Sequence, residues 1–197
     1  MNNPCQLALE GSEVLNLGCG RKHVTGAVNV DVRAETNPDI LHDLNLLPWP
    51  FPDEHFKEVL AYDVIEHLDD TIRAMEEIHR VCRNEAVVRI TLPHFSCANA
   101  YTDPTHCHYF GRFSFDYVSG KGDFAFYSNA KFRCRSSRII FYPTFLNKVV
   151  WRFANRYPAT YERRWAWIFP AWFLYFELEV LKDVICRSDR RRYGIGT

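Results

Sequence analysis

Two glycines and an acid near the start of the chain have the residue types and spacing of a nucleoside site. Gly18 and Gly20 follow the apolar run 14–17, and Asp31 stands at the end of a second apolar run, 27–30. Glycines after one parallel strand let a ligand approach the backbone, because no Cβ blocks it. An acid after the next strand can accept hydrogen bonds from both hydroxyls of a ribose. The pattern predicts a nucleoside-binding crevice.

A second set of reactive side chains lies between residues 94 and 108. It consists of His94, Cys97, Asp103, His106, Cys107 and His108. A histidine could act as general base and remove a proton from an acceptor hydroxyl, since its ordinary pKa is near neutrality. His94, Cys97, His106 and His108 could instead ligate zinc, although their spacing matches no standard zinc motif. In a third alternative the histidines only fix the loop by hydrogen bonds, and we assign no metal ligand.

Short apolar runs separated by turns must position these groups. After the strand 14–17, only the ten residues from Gly18 to Ala27 lead into the next strand, whereas a parallel crossover normally needs a dozen or more. Further strands are predicted at 40–42, 57–62 and 86–92. A helix is predicted from Asp69 or Asp70 to about Arg83, because its apolar residues repeat at helical spacing. Strands alternating with crossovers predict an α/β fold with a parallel sheet.

The second half of the chain is rich in aromatic residues. We expect a short helix at 113–118, a mobile link at 120–123, and a strand at 131–141 with a kink at Ser136 and Ser137. Two helical pieces are expected at 144–156 and 161–169. Residues 176–180 alternate strictly and predict a half-buried strand, and the tail 187–197 is expected to fray.

The composition narrows the class of protein. A chain of 197 residues with 47% hydrophobic residues predicts a single domain, 1–197, with a substantial core. Lys+Arg and Asp+Glu both number 24, and this balance disfavours a nucleic-acid binder. Seven cysteines without regular spacing favour a reducing, cytoplasmic setting with free thiols, and no run is apolar enough to cross a membrane.

Five blocks together resemble a known family, the class I S-adenosylmethionine-dependent methyltransferases, in the branch called type 11. The blocks are Leu-Asn-Leu-Gly-Cys-Gly at 15–20, Asn-Val-Asp at 29–31, His-Asp-Leu at 42–44, Leu-Pro-Trp-Pro-Phe-Pro-Asp-Glu-His-Phe at 47–56, and Asp-Val-Ile-Glu-His-Leu at 63–68. The likeness is strong over 13–95. It implies a Rossmann-like, mostly parallel seven-stranded sheet with an antiparallel last strand. A dinucleotide-dependent oxidoreductase is rejected, because His23 stands where its third glycine belongs.

The resemblance also implies a cofactor, S-adenosyl-L-methionine, and residues that hold it. Gly18 and Gly20 would line its methionine part, Asp31 would hold the ribose, and Asp43 with the Leu44 amide would face the adenine. Asp63 and the segment to His67 would close the floor under the sulfonium, with Asn16 and Cys19 beside them. Asn16 replaces the acid that relatives carry there. For the acceptor, the resemblance implies Asp103, Tyr109 and Phe110 on a loop spanning 94–125, with His94, His106 and His108 as candidate bases.

These expectations combine into a predicted activity. We expect methyl transfer to an oxygen of a small-molecule or glycan or lipid-linked acceptor, with residues 142–170 as an aromatic-rich insertion that caps the acceptor. Residues 142–176 are expected to offer a peripheral membrane or homodimer contact. The alternative is a non-catalytic S-adenosylmethionine-binding module that uses the same aromatic surface.

Overall fold

The structure is a computed structural model that describes Leu9 and residues 11–119 and 126–182. Its strands are β1 (Val14–Leu17), β2 (Val28–Asp31), β3 (Ile40–Leu41), β4 (Phe56–Tyr62), β5 (Cys82–Pro93), β6 (Phe132–Ile140) and β7 (Phe173–Val180). Its α-helices are α1 (Thr71–Val81), α2 (Asn99–Thr102), α3 (Phe145–Arg156) and α4 (Pro158–Arg164), and 3-10 turns span Ala34–Thr36, Ile65–His67 and Ser114–Val118.

The strands form one seven-stranded sheet in the order β3-β2-β1-β4-β5-β7-β6. The strands from β3 to β5 pair in parallel, and β7 lies antiparallel to both β5 and β6. The predicted Rossmann-like sheet with an antiparallel last strand is confirmed. The connections reverse direction between β1 and β4, and open α/β sheets bind ligands at the carboxyl ends of strands at such a point.

Several element boundaries differ from the prediction. β5 begins at Cys82, directly after α1, and Glu85 within it has a positive φ of 64°. β7 begins at Phe173, because the apolar alternation extends three residues further back than we predicted. α4 ends at Arg164 rather than 169, and the irregularity in β6 lies between Cys134 and Ser136. The predicted link at 120–123 and the tail at 187–197 fall outside the described residues.

One face of the sheet packs against α1 and forms much of the core. Asp70 caps this helix, its carboxylate accepting from the Arg73 amide at 3.0 Å. Met75 and Ile78 are fully buried against the sheet, and each contributes about 1.5–3 kcal/mol through removal of apolar surface from water. Alternate residues of the central strands meet them there: Leu15, Leu17, Val59, Ala61, Val88, Ile90, Leu174, Phe176 and Leu178.

The opposite face of the central strands is polar and partly exposed. Glu58 on β4, Arg89 on β5 and Glu177 on β7 form ion pairs across it, and each side chain keeps 26–33% of its exposure. Parallel sheets are usually covered by helices on both faces. In the described residues, no α-helix lies between β1 and β4 in the chain, so the first crossovers supply no cover there.

Two asparagines replace the missing first crossover helix. The Asn16 amide donates to the Lys22 carbonyl at 3.1 Å and to Asn29 Oδ1 at 2.9 Å. Asn29 Oδ1 also accepts from the Val24 amide, and its own amide group donates to Asp39. These bonds hold residues 18–27 as tight turns, because a buried polar side chain can satisfy backbone groups that a helix would otherwise pair.

The proline-rich loop between β3 and β4 is fixed by one arginine. Arg80 donates to the carbonyl oxygens of Trp49 and Phe51 and pairs with Asp53 and Glu77. Trp49 and Phe51 are thereby held in the core, at 2% and 4% exposure. Trp49 Nε1 in turn donates to the Leu44 carbonyl at 2.9 Å, so the loop holds the turn after β3 that forms one wall of the cleft described next.

Candidate functional site

A cleft of about 400 Å³ opens at the carboxyl ends of four parallel strands. β1 contributes Gly18 and Gly20, β2 contributes Asp31, and the turn after β3 contributes Asp43 and Leu44. Asp63 and His67 follow β4, and the rim is completed by Asp103 and Thr105. The volume lies within the range of small-molecule sites in proteins.

The two glycines serve different purposes in the turn after β1. Both have positive φ, 56° at Gly18 and 50° at Gly20. A Cβ on Gly18 would lie 2.4 Å from Val64 Cγ2, so this glycine permits close packing of the turn against the residue after Asp63. A Cβ on Gly20 would meet nothing within 4 Å, so its backbone borders open space in the cleft.

Asp31 lines the cleft, and the residue is only 8% exposed. Its Oδ2 accepts from the Gly20 amide at 2.7 Å, and its Oδ1 accepts from the Arg33 amide at 2.8 Å. A carboxylate has about four acceptor positions, so each oxygen keeps capacity for a further donor. The position suits a ligand that offers two hydroxyls.

Asp63 adopts a left-handed backbone conformation at the floor of the cleft. Its φ is 58°, and its amide and Oδ1 are tied to Thr91, at 2.9 and 3.1 Å. Aspartate tolerates this conformation better than most residues, yet a non-glycine residue there costs about 1–3 kcal/mol. The strained residue therefore lies in the lining of the cleft, among the other predicted site residues.

Most of the predicted cofactor residues therefore lie around one cleft, and two lie behind it. Asn16 and Cys19 are buried next to the turn and do not line the cleft. Seven residues that line the cleft were not predicted from the sequence: Val32, Arg33, Thr36, His42, Asn45, Leu68 and Thr105. Val32 is an apolar side chain with 58% exposure, and its position directly after Asp31, the acid predicted to hold the ribose, was a signal that could have identified it.

Comparison with known proteins agrees with this geometry. Residues 15–90 match the family described as a methyltransferase domain. A SAM-dependent methyltransferase from Archaeoglobus fulgidus has the same fold, with a TM-score of 0.57, 16% identity and 89% of each chain covered. The YcgJ protein of Bacillus subtilis gives a TM-score of 0.54 at 13% identity, covering 90% of this chain and 97% of that one. A similar enzyme from Mesorhizobium loti gives 0.51 at 14% identity, covering 90% and 98%. No curated protein sequence matches.

Over residues 15–90 the chain is similar to the methyltransferase domain family, and it has the fold of S-adenosylmethionine-dependent methyltransferases. The cofactor of those enzymes, S-adenosyl-L-methionine, fits what the cleft presents. Gly20 leaves open space where a larger residue would project, and the Asp31 carboxylate keeps acceptor capacity beside it. Asp43 accepts from the Asn45 amide at 2.9 Å, which holds its carboxylate at the cleft edge.

The loop 103–108 is clamped onto the turn Ile65–His67. The Glu66 carbonyl accepts from the amides of Cys107 and His108, at 2.8 and 3.3 Å. The His67 and His106 rings meet edge to face, with centroids 4.7 Å apart. Of the three candidate bases, His106 is the one in contact with a residue that lines the cleft.

The other two candidate bases are engaged elsewhere. His94 is fully buried, with Nδ1 at 2.8 Å from Ser96 Oγ and Nε2 at 3.3 Å from Glu162 Oε1. His108 lies 3.2 Å from the Asp69 carbonyl through Nε2. Among the described residues, the only group of three that could hold a metal ion is Glu66, His67 and His106, whose ligand atoms lie within 4.8 Å of one another. His94, Cys97 and His108 are not in it.

The aromatic insertion packs on the acceptor loop and does not line the cleft. Glu162 on α4 accepts from the Arg112 amide at 2.5 Å, and Trp167 packs edge-on against Phe95. Of the predicted acceptor residues, Asp103 lies on the cleft rim. Phe110 is buried and Tyr109 is half exposed and stacked on Tyr101. Within the described residues, no helix is long and apolar enough to cross a membrane.

Proposed function

We propose that this methyltransferase transfers a methyl group to an oxygen atom of a small-molecule or glycan or lipid-linked acceptor. The observation that carries the proposal is one cleft in which glycines, three carboxylates and a histidine from four strand ends meet the loop 103–108. S-adenosylmethionine supplies an activated methyl group on a sulfonium, so the protein has mainly to bind and position the acceptor.

We assign the residues of the cleft to different parts of the cofactor according to their positions. Gly18 and Gly20, with Asn16 and Cys19 behind them, shape the turn for the amino-acid part of the cofactor. Asp31 accepts from the ribose hydroxyls, and Asp43 with the Leu44 amide faces the adenine. Asp63 and His67 form the floor, next to the place where the acceptor must enter.

The acceptor side is formed by the loop that begins at His94. Asp103 is on the rim of the cleft, and Tyr109 and Phe110 continue the loop toward the insertion. His106 is the nearest of the three predicted bases to the cleft, through its contact with His67. An unprotonated imidazole there would accept the hydroxyl proton as the new bond to oxygen forms.

Calorimetry tests cofactor binding. S-adenosylmethionine should bind one site per chain, and Asp31→Ala should weaken binding at least about a hundredfold, since a charge-assisted pair of hydrogen bonds contributes about 3 kcal/mol or more. Glu35→Ala is the matched control, because Glu35 is exposed four residues further on and does not line the cleft. Absence of binding by the wild-type protein would overturn the proposal.

Transfer of a labelled methyl group into fractionated cell extract tests the acceptor. Oxygen methylation predicts a labelled product whose methyl position is assigned to an ether or ester by mass spectrometry. A methyl on nitrogen or sulfur would contradict the oxygen proposal.

A second function is favoured by the insertion's surface. Phe145, Trp165 and Trp167 are exposed by 88%, 41% and 68%, and an apolar cavity of about 490 Å³ opens between α3 and α4. This surface suits a module that binds S-adenosylmethionine and contacts a membrane, a second copy of the chain or another protein. Cofactor binding without labelled product in any fraction, together with vesicle binding lost in Trp167→Ala, would favour the module.

A further inference from the structure

Glu66 is a buried carboxylate without a hydrogen-bond partner. The residue is 1% exposed, and neither carboxylate oxygen has a partner among the described residues. Burying such a group unpaired costs several kcal/mol, so it calls for a proton or a bound cation. Burial, with the charges of Asp63 and Asp103, raises the pKa of Glu66 to about 8. The surroundings are therefore negative as well as dry.

His106 presents an unshared electron pair to the same space. Its Nδ1 lies 3.1 Å from the Ala100 carbonyl, so Nδ1 carries the hydrogen. In the neutral ring Nε2 is then an acceptor. Asp103 Oδ2 lies 4.0 Å from that Nε2, so two acceptor atoms face each other across a gap.

His67 has the same tautomer for a related reason. The Thr105 hydroxyl donates to Asp103 Oδ1 at 2.6 Å, so its hydrogen is already committed. His67 Nδ1 lies 2.9 Å from that hydroxyl oxygen and 3.3 Å from the Thr105 carbonyl, so it must be the donor. Its Nε2 is left with a free electron pair. A histidine fixed through Nδ1 by a carbonyl or hydroxyl is the arrangement that orients metal-ligating imidazoles.

We propose that Glu66, His67 and His106 form a binding site for one divalent transition-metal ion. The three ligand atoms already lie within 4.8 Å of one another, and bonds of about 2.0–2.2 Å would draw them together by roughly 1 Å. Two imidazoles and one carboxylate suit zinc, iron, cobalt or manganese better than magnesium or calcium, which prefer oxygen ligands. Such a triad leaves coordination positions open.

The open positions give the ion a role that rests on the proposed function. His67 belongs both to the triad and to the cleft wall, so the ion borders the place where the acceptor enters. A bound hydroxyl is acidified by the ion and loses its proton to water. The oxygen then forms the bond to the methyl carbon, the carbon–sulfur bond breaks, and its electron pair stays on sulfur. With the ion bound, His106 serves as a ligand, and water takes the proton that the unligated imidazole would accept.

Calorimetry of the full chain, stripped with a chelator and titrated with Zn²⁺ or Mn²⁺, tests the site. One ion should bind per chain, and Glu66→Gln and His106→Ala should each weaken binding about a hundredfold or more. His23→Ala is the control for adventitious imidazole binding, because this exposed histidine lies outside the triad, and its affinity should equal the wild type's. X-ray absorption of the zinc form should show two imidazole ligands.

Three results would overturn the site: no binding by the wild-type chain, wild-type affinity in folded His106→Ala, or an absorption spectrum without imidazole. Circular dichroism serves as the check that each variant is folded. S-adenosylmethionine binding is measured on the same metal-free preparation, so that the two proposals fail separately. Cofactor binding without metal binding overturns only the metal site, and methyl transfer that persists in the stripped protein overturns the ion's role in activating the acceptor.

Discussion

Replacement of Gly18 by alanine should destabilise the protein far more than the same change at Gly20. Both residues have positive φ, so each alanine carries a left-handed penalty of about 1–2 kcal/mol. Only at position 18 does the new methyl collide with a neighbour, 2.4 Å from Val64 Cγ2 and 2.8 Å from its Cβ. Overpacking of this kind adds about 1–3 kcal/mol.

The two variants therefore form a matched pair: both carry the backbone strain, but only Gly18→Ala carries the collision with Val64. Gly18→Ala is expected to lower the free energy of unfolding by about 2–5 kcal/mol, and Gly20→Ala by about 1–2 kcal/mol. Urea unfolding followed by circular dichroism measures both values. At about 2–4 °C per kcal/mol for a chain of this size, the melting temperatures should separate by several degrees.

Val64→Ala provides the internal check on the cause. Because it removes the nearer of the two colliding atoms, the double variant with Gly18→Ala should lose less stability than the sum of the single changes. Equal destabilisation by the two glycine variants, or strict additivity of the double variant, would refute the assignment of close packing to Gly18.

Three further predictions concern Arg80, Glu77 and Cys82, which lie away from the turn after β1. Arg80→Ala should lower the free energy of unfolding by about 2–4 kcal/mol, because two carbonyls and two carboxylates lose their donor, whereas the exposed Arg73→Ala should change it by under about 0.5 kcal/mol. Burial opposes ionisation of Glu77, but its hydrogen bonds with Arg80 and with the proline-rich loop lower its pKa. The stabilisation from ionised Glu77 is fully present above the ordinary carboxyl pKa, and it is lost as the pH falls through the lower pKa of the folded state. In urea unfolding measured at several pH values, the stability difference between Glu77→Gln and the wild type should therefore shrink below about pH 4. Burial raises the pKa of Cys82 to about 12, and iodoacetamide at pH 8 should modify the exposed Cys107 while leaving Cys82 intact until unfolding; peptide mass spectrometry that finds the reverse order would contradict this.

The cleft was largely accessible to sequence reasoning because its residues stand at strand ends. Gly18, Asp31, Asp43 and Asp63 each follow a short apolar run, and the carboxyl ends of neighbouring parallel strands meet at one edge. The sequence predicted no strand order, and the resemblance to the methyltransferase family is what assigned Asp43 and Asp63 to the same site. The sequence also predicted the short first crossover, although the hydrogen bonds of Asn16 that hold it in place could not be read from the pattern.

Side chains on loops were less predictable, because loop geometry depends on contacts with distant segments. The histidines between 94 and 108 form one dense group in the sequence, yet the fold separates them. His94 turns into the core toward Glu162, 68 residues away, while His106 turns toward His67. The proximity of Glu66 to His106 is likewise tertiary, because it is set by the backbone bonds that clamp residues 103–108 onto the turn after β4.

By itself, the sequence determined the strand periodicity, the crevice at the strand ends and the likeness to the methyltransferase family, because these rest on local patterns of apolar residues, glycines and acids. Only the tertiary structure decided which loop side chains meet. It left the Glu66 carboxylate buried and unpaired beside two imidazoles, because the turn Ile65–His67 packs against the core on one side and is covered by residues 103–108 on the other.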